Sequence, residues 1–198
     1  MPKLWSVGGY LAGGVLIVVS IALIVIGGVG RTYVQDQLSN EGIVGTDDMT
    51  PAKTEAALKE ADLTDVPVPS CSVAGEEVDT GKEAKCFGDY MRVHALEGTG
   101  GLTYSEMPRY ATADGKGTND PAQAEKGPDG SPQSNGARDL WVTETALSNA
   151  LYTSYFAENV ALFAIIVGIA LLLVGVGLVV LTIAARRRAP GAPVAAPA

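Results

Sequence analysis

The 198-residue chain has few of the side chains from which catalytic and metal sites are built. It has one histidine and two cysteines, and only 6% of its residues are aromatic. A single histidine excludes any site that needs two histidines from one copy of the chain. Basic residues are also scarce, with 14 lysines and arginines against 22 acidic residues. Because no basic face is available, nucleic acid is not expected as a partner.

Charge is absent from two long apolar stretches, residues 7–30 and 160–185. A 24-residue helix is about 36 Å long, enough to cross a hydrocarbon core of about 30 Å. We therefore predict an all-α membrane protein with two transmembrane helices and a small, mostly helical module between them. The first helix is expected to be an uncleaved signal anchor, because it is longer than a signal-peptide core and shows no small-x-small cleavage site. A cleaved signal peptide is the alternative.

Basic residues beside the apolar stretches predict the orientation. They are Lys3 before the first stretch and Arg186, Arg187 and Arg188 after the second. The positive-inside rule then places residues 1–6 and 186–198 in the cytoplasm, the latter as a disordered tail rich in proline and alanine. Residues 32–158 carry all 22 acidic residues and nine basic ones, a net charge of −13. This loop is expected outside the cytoplasmic membrane.

Small residues within the stretches indicate how the spans pack. Gly9 with Gly13, and Ala164 with Gly168, form small-xxx-small pairs that allow close approach of helix backbones. The alternative is that glycine is simply common in membrane helices. Because neither stretch contains an ionisable side chain, a proton or ion path through these helices is not expected.

Local patterns predict helices in the outer module, residues 31–159. They cover residues 32–40 as an extension of the first span, 51–61 with Pro51 at the first helical position, 87–97 and 139–185. Gly42 is expected to end the first of these helices. Thr50 is a candidate N-cap for the second helix, and Asp139 is a candidate N-cap for the last. In the long last helix Leu140, Leu147 and Leu151 recur at helical spacing and are expected to pack on the module.

Cys71 and Cys86 are 15 positions apart. Outside the cytoplasm a disulfide is the default expectation, and closing such a loop contributes roughly 3 kcal/mol. The alternatives are two free thiols, or a metal site that includes His94, whose spacing matches no zinc pattern. We therefore expect neither a metal nor a cofactor.

Residues 111–138 contain no large apolar side chain. Such a segment cannot bury enough surface to offset its ordering entropy. It is therefore predicted to be a flexible, disordered linker.

A family resemblance lies in the segment HALEGTGGLTYSE, residues 94–106. It is similar to a motif of small two-span membrane proteins from actinobacteria, and residues 37–48 also resemble that family. The matching residues are His94, Ala95, Leu96, Glu97, Thr99, Gly100, Gly101, Thr103, Tyr104 and Glu106. Members are often labelled aromatic ring-opening dioxygenases, but extradiol ring opening by non-haem iron needs two histidines and a carboxylate on one metal. The resemblance thus implies the two-span layout without an activity, and we interpret the motif as structural.

Three classes of function remain. They are a non-enzymatic accessory or assembly subunit of a membrane or cell-envelope complex, an extracytoplasmic sensor or ligand-binding protein, and an envelope enzyme. We favour the first, because six residues before the first span and 13 after the second are too few for a catalytic domain. The expected partners are membrane lipid and another membrane protein, or a second copy bound through the spans.

Overall fold

Four α-helices carry the fold in the computed structural model, which describes the backbone of residues 2–188 and the side chains of residues 6–187. In chain order they are α1 (Pro2–Glu41), α2 (Pro51–Glu60), α3 (Gly81–Gly98) and α4 (Gly136–Arg188). The rest of these residues form turns, bends and isolated β-bridges, without a β-strand. The predicted all-α class with two long apolar helices is confirmed.

The described chain divides into two compact units. One holds the residues up to Thr32 together with those from Asn159 onward, and the other runs from Tyr33 to Glu158. In the first unit, α1 and α4 are long and apolar enough to cross a membrane. Their apolar side chains are largely exposed, including Val15 at 61% and Leu173 at 69%. A helix in the core of a soluble protein would bury such side chains, so this exposure is typical of helices that contact lipid.

Small residues occupy the contact between α1 and α4 at every seventh position. They are Gly13, Ser20 and Gly27 on α1, and Ala161, Gly168, Gly175 and Thr182 on α4. A Cβ atom added to Gly27 would lie 2.6 Å from the carbonyl oxygen of Ala161. One added to Gly168 would lie 2.9 Å from the carbonyl oxygen of Ser20. The two helices are thus antiparallel, with backbones close enough to require small residues along a heptad seam.

The residues that the sequence analysis selected for span packing lie partly in this seam. Gly9 faces Thr182, and Gly13 and Gly168 also face the opposite helix. Ala164 is half-buried. Each predicted small-xxx-small pair thus contains one residue, Gly13 or Gly168, of a contact in which small residues recur every seven positions.

The basic residues and the tail that predict the orientation are only partly described. Arg186 and Arg187 are exposed at the end of α4. The side chains of Lys3 and Arg188 lie outside the described residues, and so does the predicted disordered tail from residue 189 onward.

Two helix boundaries of the second unit follow the sequence prediction closely. The α1 helix ends at Glu41, and Gly42 follows with a φ of +59°, a left-handed conformation that suits glycine. At the start of α2 the hydroxyl of Thr50 accepts a hydrogen bond from the Lys53 amide at 3.4 Å, and Pro51 takes the first helical position.

The predicted start of α3 at residue 87 is wrong by six residues. A capping box at Thr80 begins the helix at Gly81 instead: the Thr80 hydroxyl accepts from the Glu83 amide at 3.4 Å, and the Glu83 carboxylate accepts from the Thr80 amide at 3.0 Å. This reciprocal pair satisfies backbone donors that the first helical turn leaves free. The sequence TGKE carries the signature, but no apolar run follows it closely.

The predicted start of α4 at Asp139 is wrong by three residues. The helix begins at Gly136, and the side-chain oxygen of Asn135 accepts from the Ala137 amide at 3.1 Å. Asp139 lies in the first turn, where a carboxylate interacts favourably with the helix dipole.

Three small apolar clusters form the core of the second unit. Their buried residues are Leu38, Val78, Ala84 and Leu151; Met49, Val73, Cys86 and Tyr90; and Ala95, Met107 and Trp141. The predicted disulfide joins Cys71 to Cys86 within the second cluster. The hydroxyl of Tyr90 donates to the carbonyl oxygen of Cys71 at 2.5 Å, so a hydrogen bond and the disulfide both connect Cys71 to α3.

In the predicted linker, residues 111–135 follow a path of hydrogen-bonded turns, and residues 136–138 form the first turn of α4. Tyr110 bridges to Thr118 and to Ser134, and Lys126 bridges to Pro132. Short polar side chains bond to nearby backbone amides, as Asp129 does to Ser131 at 3.1 Å. This bonding orders the segment locally without an apolar core. Its flexibility in solution stays a prediction.

Candidate functional site

The motif segment 94–106 forms the corner at the end of α3. Gly100 and Gly101 have φ values of +63° and +81°, which favour glycine. The Thr99 hydroxyl donates to the carbonyl oxygen of Leu102 at 2.7 Å, and the carbonyl oxygen of Glu97 accepts from the Gly100 amide at 3.2 Å. These residues terminate the helix and turn the chain.

The second half of the motif closes a single turn. The Glu106 carboxylate accepts hydrogen bonds from the Thr103 amide at 2.8 Å and the Thr103 hydroxyl at 2.6 Å. These bonds, the one from the hydroxyl above all, lower the pKa of Glu106. The ring of Tyr104 carries the Arg138 guanidinium 3.9 Å from its centroid, a cation–π contact. The motif side chains are therefore engaged in local structure, which is how we interpret them.

His94 links α3 to the loop before α2. Its Nε2 atom lies 2.9 Å from Oδ2 of Asp48. A hydrogen bond from Thr46, with a smaller contribution from the charge of His94, lowers the pKa of Asp48 despite its partial burial. Among the described residues no group of three histidine, cysteine, aspartate or glutamate side chains converges as a metal site.

A polar seam runs between α3 and α4, formed by Arg92, Glu144, Ser148, Asp89 and Tyr152. Glu144 is 5% exposed and Ser148 is 3% exposed. The Ser148 hydroxyl donates to Oε1 of Glu144 at 2.6 Å, and the Arg92 guanidinium lies 3.8 Å from Oε2. Arg92 also lies 4.0 Å from the centroid of the Trp141 ring. A buried carboxylate supported in this way sets the register of two helices, since removing a partner would leave a buried charge uncompensated.

The seam continues toward the start of α3. Tyr152 donates to Oδ1 of Asp89 at 3.1 Å, and Lys85 pairs with the other oxygen of that carboxylate at 2.5 Å. Burial, together with the charge of Asp89, raises the pKa of Tyr152 to about 12. A phenol with such a pKa is neutral at physiological pH, so it acts here as a hydrogen-bond donor.

The predicted packing face of α4 before residue 160 is wrong for Leu140 and Leu147. Leu140 and Leu147 are 45% and 51% exposed, although Leu151 is buried as predicted. The buried face instead contains Trp141, Glu144, Ser148 and Leu151, whose spacings of three, four and three residues fit one helical face. That spacing could have identified the polar seam. A search for apolar residues at helical spacing misses it, because Glu144 and Ser148 are polar.

An apolar groove opens in the second unit beside α3 and has a volume of about 650 Å³. Its apolar lining comprises Leu38, Ile43, Phe87, Met91, Leu147 and Leu151. Gln37, Glu41 and Ser154 add polar groups to the lining. Apart from Leu38 and Leu151 these apolar side chains are only half-buried or exposed, so they still present surface that could bind an apolar partner.

The chain was also compared with known proteins. No family model, no curated protein sequence and no solved structure matches it. Its function is therefore argued from its own residues.

Proposed function

We propose that this chain is a non-enzymatic, two-span protein of the cytoplasmic membrane that acts as an accessory or assembly subunit. In this proposal both termini face the cytoplasm, and the second unit lies outside and binds another membrane protein. The apolar groove is the observation that carries the proposal. A groove of about 650 Å³, most of whose apolar lining is exposed or half-buried, fits the apolar face of a partner helix.

Charge favours a partner other than a second copy. Residues 32–158 carry a net charge of −13, so two such modules repel each other when they approach. Glu41 adds a carboxylate to the groove lining itself. The occupant is therefore a helix with one apolar face and lysine or arginine beside it.

The position of the groove in the chain favours a partner from the membrane. Its first lining residue, Gln37, follows Gly30, the end of the first apolar stretch, by seven residues. We therefore expect the segment of the partner protein that binds in this groove to lie close in sequence to a transmembrane helix of the partner. The arginines after the second stretch support the orientation in which this surface is outside.

The test compares two equally exposed apolar residues changed to the same charged one. Leu147 lines the groove and is 51% exposed, whereas Val44 lies outside it and is 55% exposed. Full-length wild type, Leu147→Asp and Val44→Asp are each purified from native membranes in mild detergent, and co-migrating proteins are identified by mass spectrometry. We expect a stoichiometric membrane partner with the wild type and Val44→Asp, and its loss with Leu147→Asp, because a charge in an apolar contact remains unpaired.

A photoreactive residue at position 147 would then map the bound segment of the partner. An apolar helix with basic neighbours is the expected result. A clean monomer or homo-oligomer from wild-type membranes would refute the proposal, and so would a partner that Leu147→Asp retains.

A further inference from the structure

Two arginines share one cleft beside the start of α4. Arg109 and Arg138 line two adjoining cavities of about 400 and 430 Å³. Residues 32–158 contain only one other arginine, Arg92, which is engaged in the polar seam. The pair therefore concentrates positive charge locally in a module that is otherwise acidic.

The protein holds the side chain of Arg138 and the backbone of Arg109 in position. The guanidinium of Arg138 stacks on Tyr104 at 3.9 Å. The backbone of Arg109 is held from both sides, because its amide donates to Asn119 at 3.1 Å and its carbonyl oxygen accepts from the Asn135 amide at 3.0 Å. A pre-positioned guanidinium group, such as that of Arg138, loses less entropy when it binds a ligand.

Neither guanidinium has a carboxylate within 4.0 Å among the described residues, in contrast to Arg92 beside Glu144. A guanidinium is always charged, and its fork of N–H donors matches the oxygens of carboxylate or phosphate. Both arginines line the same two cavities, so both can contribute N–H donors to a single oxyanion.

Two carboxylates in the lining limit the ligand. Glu106 already accepts two hydrogen bonds from Thr103, and Asp139 lies in the first turn of α4. Both would repel a polyanion, so the cleft suits a compact group with one or two negative charges. We propose that the cleft of Arg109 and Arg138 binds a small oxyanion, a phosphate or carboxylate group, from the extracytoplasmic side.

The test measures equilibrium binding of radiolabelled inorganic phosphate to the full-length protein in phosphatidylcholine nanodiscs. Arg109→Gln is the main variant, because its side chain holds no other element in place. Lys116→Gln is the matched control, with the same loss of charge in the same segment but outside the cleft. We expect Arg109→Gln to weaken binding at least about tenfold, the effect of losing a charge-assisted hydrogen-bonded pair, and Lys116→Gln to leave it unchanged.

Arg138→Lys separates charge from geometry, since it keeps the cation and loses the planar fork; we expect weaker binding here too. Nanodiscs that contain phosphatidylglycerol distinguish the source of the anion. If they abolish phosphate binding, a lipid headgroup occupies the cleft; if binding persists, the ligand is a free anion. Absence of phosphate binding in both nanodiscs would overturn the proposal, as would equal losses in Arg109→Gln and Lys116→Gln.

Discussion

Opening the Cys71–Cys86 disulfide is expected to destabilise the second unit strongly. The bond joins the loop after Pro69 to the buried face of α3, where Cys86 is 4% exposed. A closed loop of 15 residues reduces the entropy of the unfolded chain, with a contribution of roughly 3 kcal/mol to stability. That corresponds to an approximately hundredfold change in the ratio of folded to unfolded molecules. For a small domain, whose stability is typically about 5–15 kcal/mol, this is a substantial share.

The substitution that tests this must remove the disulfide without destabilising the core in another way. Cys86 packs with Met49, Val73 and Tyr90, so serine there would bury a hydroxyl group among apolar side chains. Alanine avoids this cost. Cys71→Ala, Cys86→Ala and the double variant each remove the same covalent link, so the loop-closure part of the loss should be equal in all three.

The assay is pulse proteolysis of the full-length protein in detergent across a urea series, which reports the fraction of molecules in which the second unit is folded. The variants should unfold at lower urea concentration, by an amount equivalent to roughly 3 kcal/mol. A reductant should shift the wild type toward the variants and leave the double variant unchanged. Free thiols in the native oxidised protein, or an unchanged midpoint in the double variant, would refute the reasoning.

Two further predictions concern the spans and the polar seam. Gly27→Ala should lower the thermal midpoint in detergent, with a loss of about 1–3 kcal/mol of stability from overpacking against Ala161. The control Gly28→Ala should leave the midpoint unchanged, because nothing lies within 4 Å of the added carbon. Equal midpoints for the two variants would contradict the close packing of α1 against α4. Because the pKa of Tyr152 is raised to about 12 in the folded protein, against about 10 when unfolded, the unfolded state loses the phenol proton first. The stability from this group is complete below pH 10 and is lost as the pH rises from about 10 to 12. Tyr152→Phe should remove that part of the alkaline loss in thermal midpoint, and an identical pH profile in the variant would contradict the contact with Asp89.

The elements that the sequence predicts well are those with a signal in their own residues. The apolar stretches, the Thr50 cap and the Gly42 stop each depend on a few neighbouring side chains, and the structure has them where expected. The start of α3 was missed because its capping box contains Lys82 and is followed by Ala84 and Lys85 rather than by an apolar run. The heptad contact between α1 and α4 was predicted only as two small-xxx-small pairs, because its small residues are divided between two helices that lie far apart in the sequence.

The candidate sites were harder to predict because they depend on contacts between distant parts of the chain. Glu144 and Ser148 are unremarkable in sequence, and only the packing of α4 against α3 reveals them as a buried pair. Arg109 and Arg138 lie 29 positions apart, within or beside a segment whose composition predicts disorder. What brings them together is the bonding of Asn135, whose amide nitrogens donate to the carbonyl oxygens of Pro108 and Arg109 at 3.0 Å each. In the proposed oxyanion cleft, Asn119, Ser134 and Asn135 form part of the wall, so the lack of apolar side chains in residues 111–138 fits a polar site.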